Sequence, residues 1–331
     1  MKIGVIGSGT WGTALARLLC NAGHELVLYS PIKEEIENLD RTREHPHLPG
    51  TKLPQEIVMT ADIEKACSGQ DFVLFAAPSV YVRSVGASAK PYIKPDQVII
   101  DVAKGVEEDT MLTMSGILHE IYPDNPIVAL SGPTHAEEVA VELPTCIVAA
   151  CENSKYAKEV ANLFYNTTIR AYINEDVLGV EIGGALKNVI ALAVGISKGL
   201  GYGDNATAAL ITRGMAEIRR IGVAMGCNDQ TFFGLAGVGD LIVTATSEHS
   251  RNNRCGRLIG QGYSVEEAKA KVGMVVEGIN ALTAAMELGS RYNVKMSIVE
   301  AVDKIINQNA DPKSVVDELM SRPPIYEIDR N

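Results

Sequence analysis

The opening stretch MKIGVIGSGTWG constrains this chain more than any other. Residues 3–6 are uniformly apolar apart from Gly4 and read as a buried strand. Residues 11–22 carry apolar side chains at helical spacing and end at Gly23, a helix-stop signal. Between strand and helix lies Gly7-Ser8-Gly9-Thr10-Trp11-Gly12, a G-x-G-x-x-G. The first glycine permits the tight turn, the second lets backbone approach a pyrophosphate, and the third lets helix and strand pack closely. Free N–H groups and the helix dipole then hold the phosphate charge. Gly7, Gly9, Thr10, Trp11 and Gly12 are therefore candidate cofactor contacts. A glycine-rich turn without a ligand is the alternative, which the strand–turn–helix context disfavours.

The same alternation continues. Strands are expected at 25–29, 56–59, 72–77, 98–102 and 127–130, with two more at 145–149 and 168–173. Helical patterns lie between most of them, which argues for a parallel sheet covered on both faces. A loop with His45, Pro46, His47, Pro49 and Gly50 interrupts the series. After about residue 175 strand signals almost vanish. Helical runs follow at 178–199, 205–225, 251–260, 264–272, 277–291, 296–307 and 312–320, then a polar tail over 322–331. The expected fold is an α/β Rossmann-like dinucleotide-binding domain over 1–175 and an all-α substrate-binding domain over 176–331.

At 331 residues and 46% hydrophobic content, the chain can bury two such cores. A net charge of −11 argues against a general nucleic-acid surface, so cations for a phosphorylated substrate must be local. The six cysteines (20, 67, 146, 151, 227 and 255) form no C-x-x-C pair, and no histidine pair has zinc-helix spacing. No metal site is expected, and His45 with His47 supplies only two ligands. Cys146 and Cys151 read as core residues. Reduced thiols and the absence of a signal-like N-terminus point to the cytoplasm. The longest wholly apolar run in the 178–199 segment, 189–194, is far short of the ~20 residues of a membrane span, so none is expected.

The chemistry centres on LKNVIALAVGISKGLGYGDN, residues 186–205. Lys187 and Asn188 lie in a long apolar helical pattern, where a lysine costs free energy unless it has a partner or a task. Desolvation weakens its hold on a proton and fits it for general acid–base work. Lys104 follows the 98–102 strand, at the sheet end where open α/β folds bind ligands; a solvated loop lysine is the alternative. Ser131-Gly132-Pro133-Thr134-His135-Ala136 also follows a strand, and its N–H groups and the Thr134 hydroxyl suit a phosphate or carboxamide. It also reads as an ordinary Gly-Pro turn, and His135 as either an acid or a locally packed ring. Asp240 either caps a helix or holds the Lys187 ammonium. Arg251, in Ser250-Arg251-Asn252, offers a planar fork for phosphate or is one more solvated cation. At the end of the second strand, Leu28-Tyr29-Ser30-Pro31, no carboxylate awaits a ribose hydroxyl. Ser30 and Lys33 suit a 2′-phosphate instead, unless Lys33 is merely a solvated helix residue, and this reading leans toward NADPH.

Together these clusters resemble the bacterial-type NAD(P)-dependent sn-glycerol-3-phosphate dehydrogenases, through GSGTWGTALA, LPGTKLP, SGPTHAEEVA, EIGGALKNVIALAVGISKGLGYGDNATAALITRG, GLAGVGDLIVTATSEHSRN and MVVEG. The resemblance spans nearly the whole chain. It implies a site between the two domains that interconverts glycerone phosphate and sn-glycerol 3-phosphate with NAD(P)H and feeds phospholipid synthesis. It implies catalytic roles for Lys187, the proton carrier, and for Lys104 and Asp240. Lys104, Gly132, Thr134, Lys187, Asp240, Ser250, Arg251 and Asn252 would surround substrate. Thr10, Trp11, Lys104, Ala136, Arg251, Val275 and Glu277 would touch cofactor. A homodimer is the family expectation. Asn188 and Thr244 are candidates to orient the carbonyl or the lysine. Lys104 would lower the Lys187 pKa and Asp240 would raise it, and the sequence leaves that contest open. Two departures stand out: Pro31-Ile32 where relatives often carry His or Arg, which weakens the NADPH reading, and Thr134 where relatives have Ser, which keeps the hydroxyl. A two-domain hydroxy-acid dehydrogenase and a non-catalytic nucleotide sensor are the rival readings.

Overall fold

The computed structural model describes residues 1–324, 326 and 327, so part of the tail expected at 322–331 lies outside the described residues. Its first half is an eight-stranded sheet: β1 (Lys2–Ile6), β2 (Glu25–Tyr29), β3 (Val58–Thr60), β4 (Phe72–Phe75), β5 (Val98–Asp101), β6 (Ile127–Ser131), β7 (Thr145–Ala150) and β8 (Ile169–Asn174). The order is β3-β2-β1-β4-β5-β6-β7-β8, so the chain reverses direction across the sheet between β1 and β4. Such a switch point opens a crevice at the carboxyl ends of the strands. β1, β4 and β5 are short apolar runs because helices cover both faces of the sheet.

One neighbour relation departs from the expected parallel sheet: β7 pairs antiparallel with β6. The only helix between them, Ala136–Ala140, has five residues. At 1.5 Å per residue it covers about 7.5 Å, whereas running back along a five-residue strand needs about 17 Å. The chain therefore starts β7 at the end where β6 stopped.

The second half is helical and is organised around Val177–Gly199, capped at its start by the Asp176 carboxylate, which accepts from the Gly179 N–H. This helix is apolar on all sides and almost wholly buried. By length and composition it could cross a membrane, which the short 189–194 run did not suggest, but 89% of its apolar window is buried inside the chain. A core helix of this kind is hydrophobic all round. Helix Arg251–Gly260 crosses it at backbone distance. A Cβ on Gly195 would lie 2.2 Å from the Asn253 carbonyl oxygen, and one on Gly256 2.2 Å from that of Leu192. Paired glycines permit this approach and bring the start of Arg251–Gly260 beside Asn188, the neighbour of Lys187.

The π-helical turn Leu235–Gly239 was absent from the expected elements, and the helix Asp240–Thr246 that continues from it was foreshadowed only by Asp240 as a possible cap. Three glycines in Gly234–Gly239 hide the helical periodicity there. π-turns recur at functional sites because they re-aim the next residues, and here the next residue is Asp240.

Candidate active site

The glycine-rich turn has the shape its spacing implies. Gly7 adopts φ +122°, a conformation side chains avoid, and a Cβ on Gly12 would meet the Gly7 oxygen at 2.1 Å. A Cβ on Gly9 would meet nothing within 4 Å, so that face is open to a ligand. Helix Thr10–Asn21 starts there with no side-chain cap and no acidic residue in its first turn, leaving its positive end available. A dinucleotide pyrophosphate therefore fits the residues present.

In the helical half, Lys187 is 5% exposed. Its ammonium donates to one oxygen of the Asp240 carboxylate and, at 2.6 Å, to the Thr244 hydroxyl. The other Asp240 oxygen accepts from Lys104 at 2.7 Å. Lys104 also donates to the Gly132 carbonyl at 3.0 Å and lies 3.4 Å from the Thr134 hydroxyl. One buried carboxylate thus holds two lysines, one from the helical half and one from the end of β5. Asp240 does not cap its helix; the residue before it, Gly239, occupies that position. Burial pulls the Lys187 pKa down to about 7, Lys104 adds to the fall by like charge, and Asp240 opposes both. Of the two charges whose contest the sequence left open, Asp240 acts more strongly than Lys104, and burial outweighs it.

Arg251 is half-buried at the start of its helix and its side chain makes no hydrogen bond or ion pair with any described residue, so its fork is free for an anion. Ser250 is that helix's cap, accepting from the Asn253 N–H at 3.2 Å. Asn252 donates to the Asn188 side chain at 2.9 Å and accepts from the Gly278 N–H at 2.8 Å, so it ties three elements together behind Lys187. Glu277 accepts from the Ser79 hydroxyl at 2.6 Å, joining the helical half to the carboxyl end of β4. Val275 lies just before it on the surface, and Ala136 is buried at the start of its short helix. His135 faces the Val243 carbonyl at 3.4 Å and burial lowers its pKa, which fits local packing. The His45 and His47 rings lie 5.7 Å apart, tilted by 47°, and no group of three metal-ligating side chains occurs among the described residues.

Sequence reasoning missed Ser79, Glu35 and a buried acid pair. Asp101 and Glu181 both sit above the usual carboxylate range, chiefly through burial, and Glu181 accepts from Ser115. Nothing in the local pattern announces Ser79 or Ser115, since their partners lie 198 and 66 residues away. Near the end of β2, Lys33 is exposed with its nearest carboxylate, Glu37, at 3.6 Å, and the Ser30 hydroxyl is engaged with Glu35.

An open dinucleotide seat at the switch point of a doubly wound sheet, with a buried lysine tied through Asp240 to Lys104 beyond the carboxyl end of β5, fits a two-domain NAD(P)-dependent dehydrogenase. The family described as NAD-dependent glycerol-3-phosphate dehydrogenase matches in both parts, its N-terminal model over residues 2–157 and its C-terminal model over 176–317. The chain belongs to that family. It is 56% identical over 327 residues to a glycerol-3-phosphate dehydrogenase [NAD(P)+] of Lactobacillus delbrueckii subsp. bulgaricus, covering 97% of each chain. It is 48% identical over 322 residues to that of Agathobacter rectalis, covering 97% of this chain and 96% of the relative. The crystal structure of glycerol-3-phosphate dehydrogenase from Coxiella burnetii superposes with a TM-score of 0.93 at 33% identity, covering 97% of this chain and 98% of that one.

Proposed function

We propose that Lys187 moves the proton in the interconversion of sn-glycerol 3-phosphate and glycerone phosphate, the reaction of this NAD(P)-dependent oxidoreductase. The observation that carries the reading is the shared carboxylate: Lys187 and Lys104 converge on Asp240, and burial holds Lys187 near pH 7. A lysine poised there carries its proton in one direction of the reaction and lacks it in the other. A bound nicotinamide supplies or accepts the hydride at C2 of the substrate. In reduction, the Lys187 ammonium stabilises the negative charge growing on the carbonyl oxygen and gives up its proton; in oxidation, the neutral amine takes it from the hydroxyl. Asp240 and Thr244 fix the amine in place. Arg251, with donors around Gly132 and Thr134, clamps the phosphate, and Lys104 adds a second cation beside the reacting oxygen.

The cofactor seat comprises Gly7, Gly9, Thr10, Trp11 and Gly12, with Glu277 and Val275 closing over it from the helical half. We draw the domain boundary between residues 175 and 176, where β8 has ended and Val177–Gly199 begins. Six thiols, none in a disulfide, support a reducing cytoplasm, and a homodimer that supplies glycerol 3-phosphate for phospholipid synthesis completes the reading. Lys187→Met tests it. We expect an intact fold, retained cofactor binding and a turnover loss of roughly a hundredfold or more. Near-normal turnover would remove the lysine from the mechanism.

A further inference from the structure

Sequence places no carboxylate at the end of β2, but the tertiary structure brings one there by another route. Glu35 stands in the first turn of helix Lys33–Thr42, and its side chain folds back over the strand end. One carboxylate oxygen accepts from the Ser8 hydroxyl at 2.9 Å, and the other from the Ser30 hydroxyl at 3.1 Å. Ser8 lies between the first two glycines of the dinucleotide turn, and Ser30 is the residue after β2. The carboxylate therefore bridges the two strand ends between which this fold seats the adenosine ribose.

The surroundings supply no compensating cation. Among the described residues, no lysine or arginine lies within ion-pairing distance of Glu35. Lys33 is exposed, with Glu37 as its ion-pair partner. His45, close enough for its charge to couple with Glu35, is buried, and burial lowers its pKa and so disfavours its cationic form. Pro31 and Ile32 offer no donor side chain. An ionised carboxylate has about four lone-pair sites, and the two serines use two of them. The remaining sites suit a ribose hydroxyl. A 2′-phosphate, carrying about −1.5 to −2 charge, would face an anion instead.

We propose that Glu35 reads the ribose 2′-hydroxyl of the cofactor and selects NADH against NADPH. The proposal rests on the cofactor occupying the glycine-rich turn. It turns the Ser30–Lys33 region from a 2′-phosphate site into a carboxylate-gated ribose site. Like-charge juxtaposition of this kind separates two ligands by roughly a hundredfold.

Trp11, the single tryptophan of the chain, sits at the head of that turn and reports binding without turnover. Quenching of its emission on titration with NADH and with NADPH gives both dissociation constants. We expect NADH to bind roughly a hundredfold more tightly in the wild-type protein, and Glu35→Gln to narrow the ratio to tenfold or less by relieving the repulsion of NADPH. Glu34→Gln, which removes an exposed charge from the same helical turn, should leave the ratio in place. Equal wild-type affinities, or a ratio unchanged in Glu35→Gln, would overturn the proposal while leaving the seat intact. Binding of neither cofactor with quenching of Trp11 would overturn the seat, and the proposal with it.

Discussion

Asp240→Asn is the sharpest perturbation of the proposed chemistry, because it keeps shape and removes one charge. Asp240 is 1% exposed and is the single carboxylate that holds both lysines. With it, the Lys187 pKa, pulled down by burial to about 7, still leaves the ammonium accessible at neutral pH. A unit charge at about 4 Å and an effective dielectric near 20 contributes about 4 kcal/mol, which is about three pKa units. Without that charge, burial and Lys104 act unopposed, and the ammonium fraction at pH 7 falls to roughly one in a thousand. Reduction of glycerone phosphate, followed as loss of reduced-cofactor absorbance, should slow roughly a hundredfold to a thousandfold at pH 7. The bend in the pH profile should move about three units toward acid. The fold should survive, because a lysine that titrates near 7 sheds its proton at little cost and the asparagine oxygen still accepts a hydrogen bond; a loss of about 1–2 kcal/mol in thermal unfolding is expected. A variant within threefold of wild type at pH 7, or one whose profile still bends near 7, would refute the reasoning.

Three further outcomes follow from the same geometry. Burial of Lys187 makes stability depend on pH: its folded pKa of about 7 lies below the ~10.4 of the unfolded chain, so the unfolded state binds more protons between those values and stability rises with pH across that window. Thermal melts at pH 7 and pH 10 should therefore show the wild type gaining several kcal/mol relative to Lys187→Met, and parallel curves would contradict the buried ammonium. Arg251→Ala should raise the KM for glycerone phosphate at least tenfold, since a charge-assisted contact contributes about 1.5–3 kcal/mol; an unchanged KM would put the phosphate elsewhere. Gly9→Ala should fold normally and lose cofactor affinity, whereas Gly12→Ala, whose Cβ would meet backbone at 2.1 Å, should lose stability as well; titration of Trp11 emission with melts separates the two.

What was legible and what was not divides along physical lines. Residues 3–12 and 98–104 could be read because their chemistry is local: a strand end, a turn and a helix start are fixed by neighbours in the chain. Asp240 could be read as either a helix cap or the holder of Lys187, and the choice between the two depends on a π-turn whose glycines carry no periodic signal. The reversed β7 was also hidden, because strand direction depends on whether a connection is long enough to return. Glu35 was not legible because its carboxylate reaches the strand end from the first turn of the next helix, a fold-back that no local pattern marks.

The sequence by itself determined the alternation that builds the parallel-rich sheet, the glycines that open the dinucleotide turn, the change to helices near residue 175 and the lysine set into an apolar helix. Each follows from propensity and periodicity acting over a few residues. Tertiary structure alone decided that Lys104 and Lys187, which lie 136 and 53 residues from Asp240 along the chain, share its one buried carboxylate, and that Glu35 stands at the ribose end of the turn. Burial and the meeting of distant charges set a side chain's protonation, and both come into being only when the halves pack together.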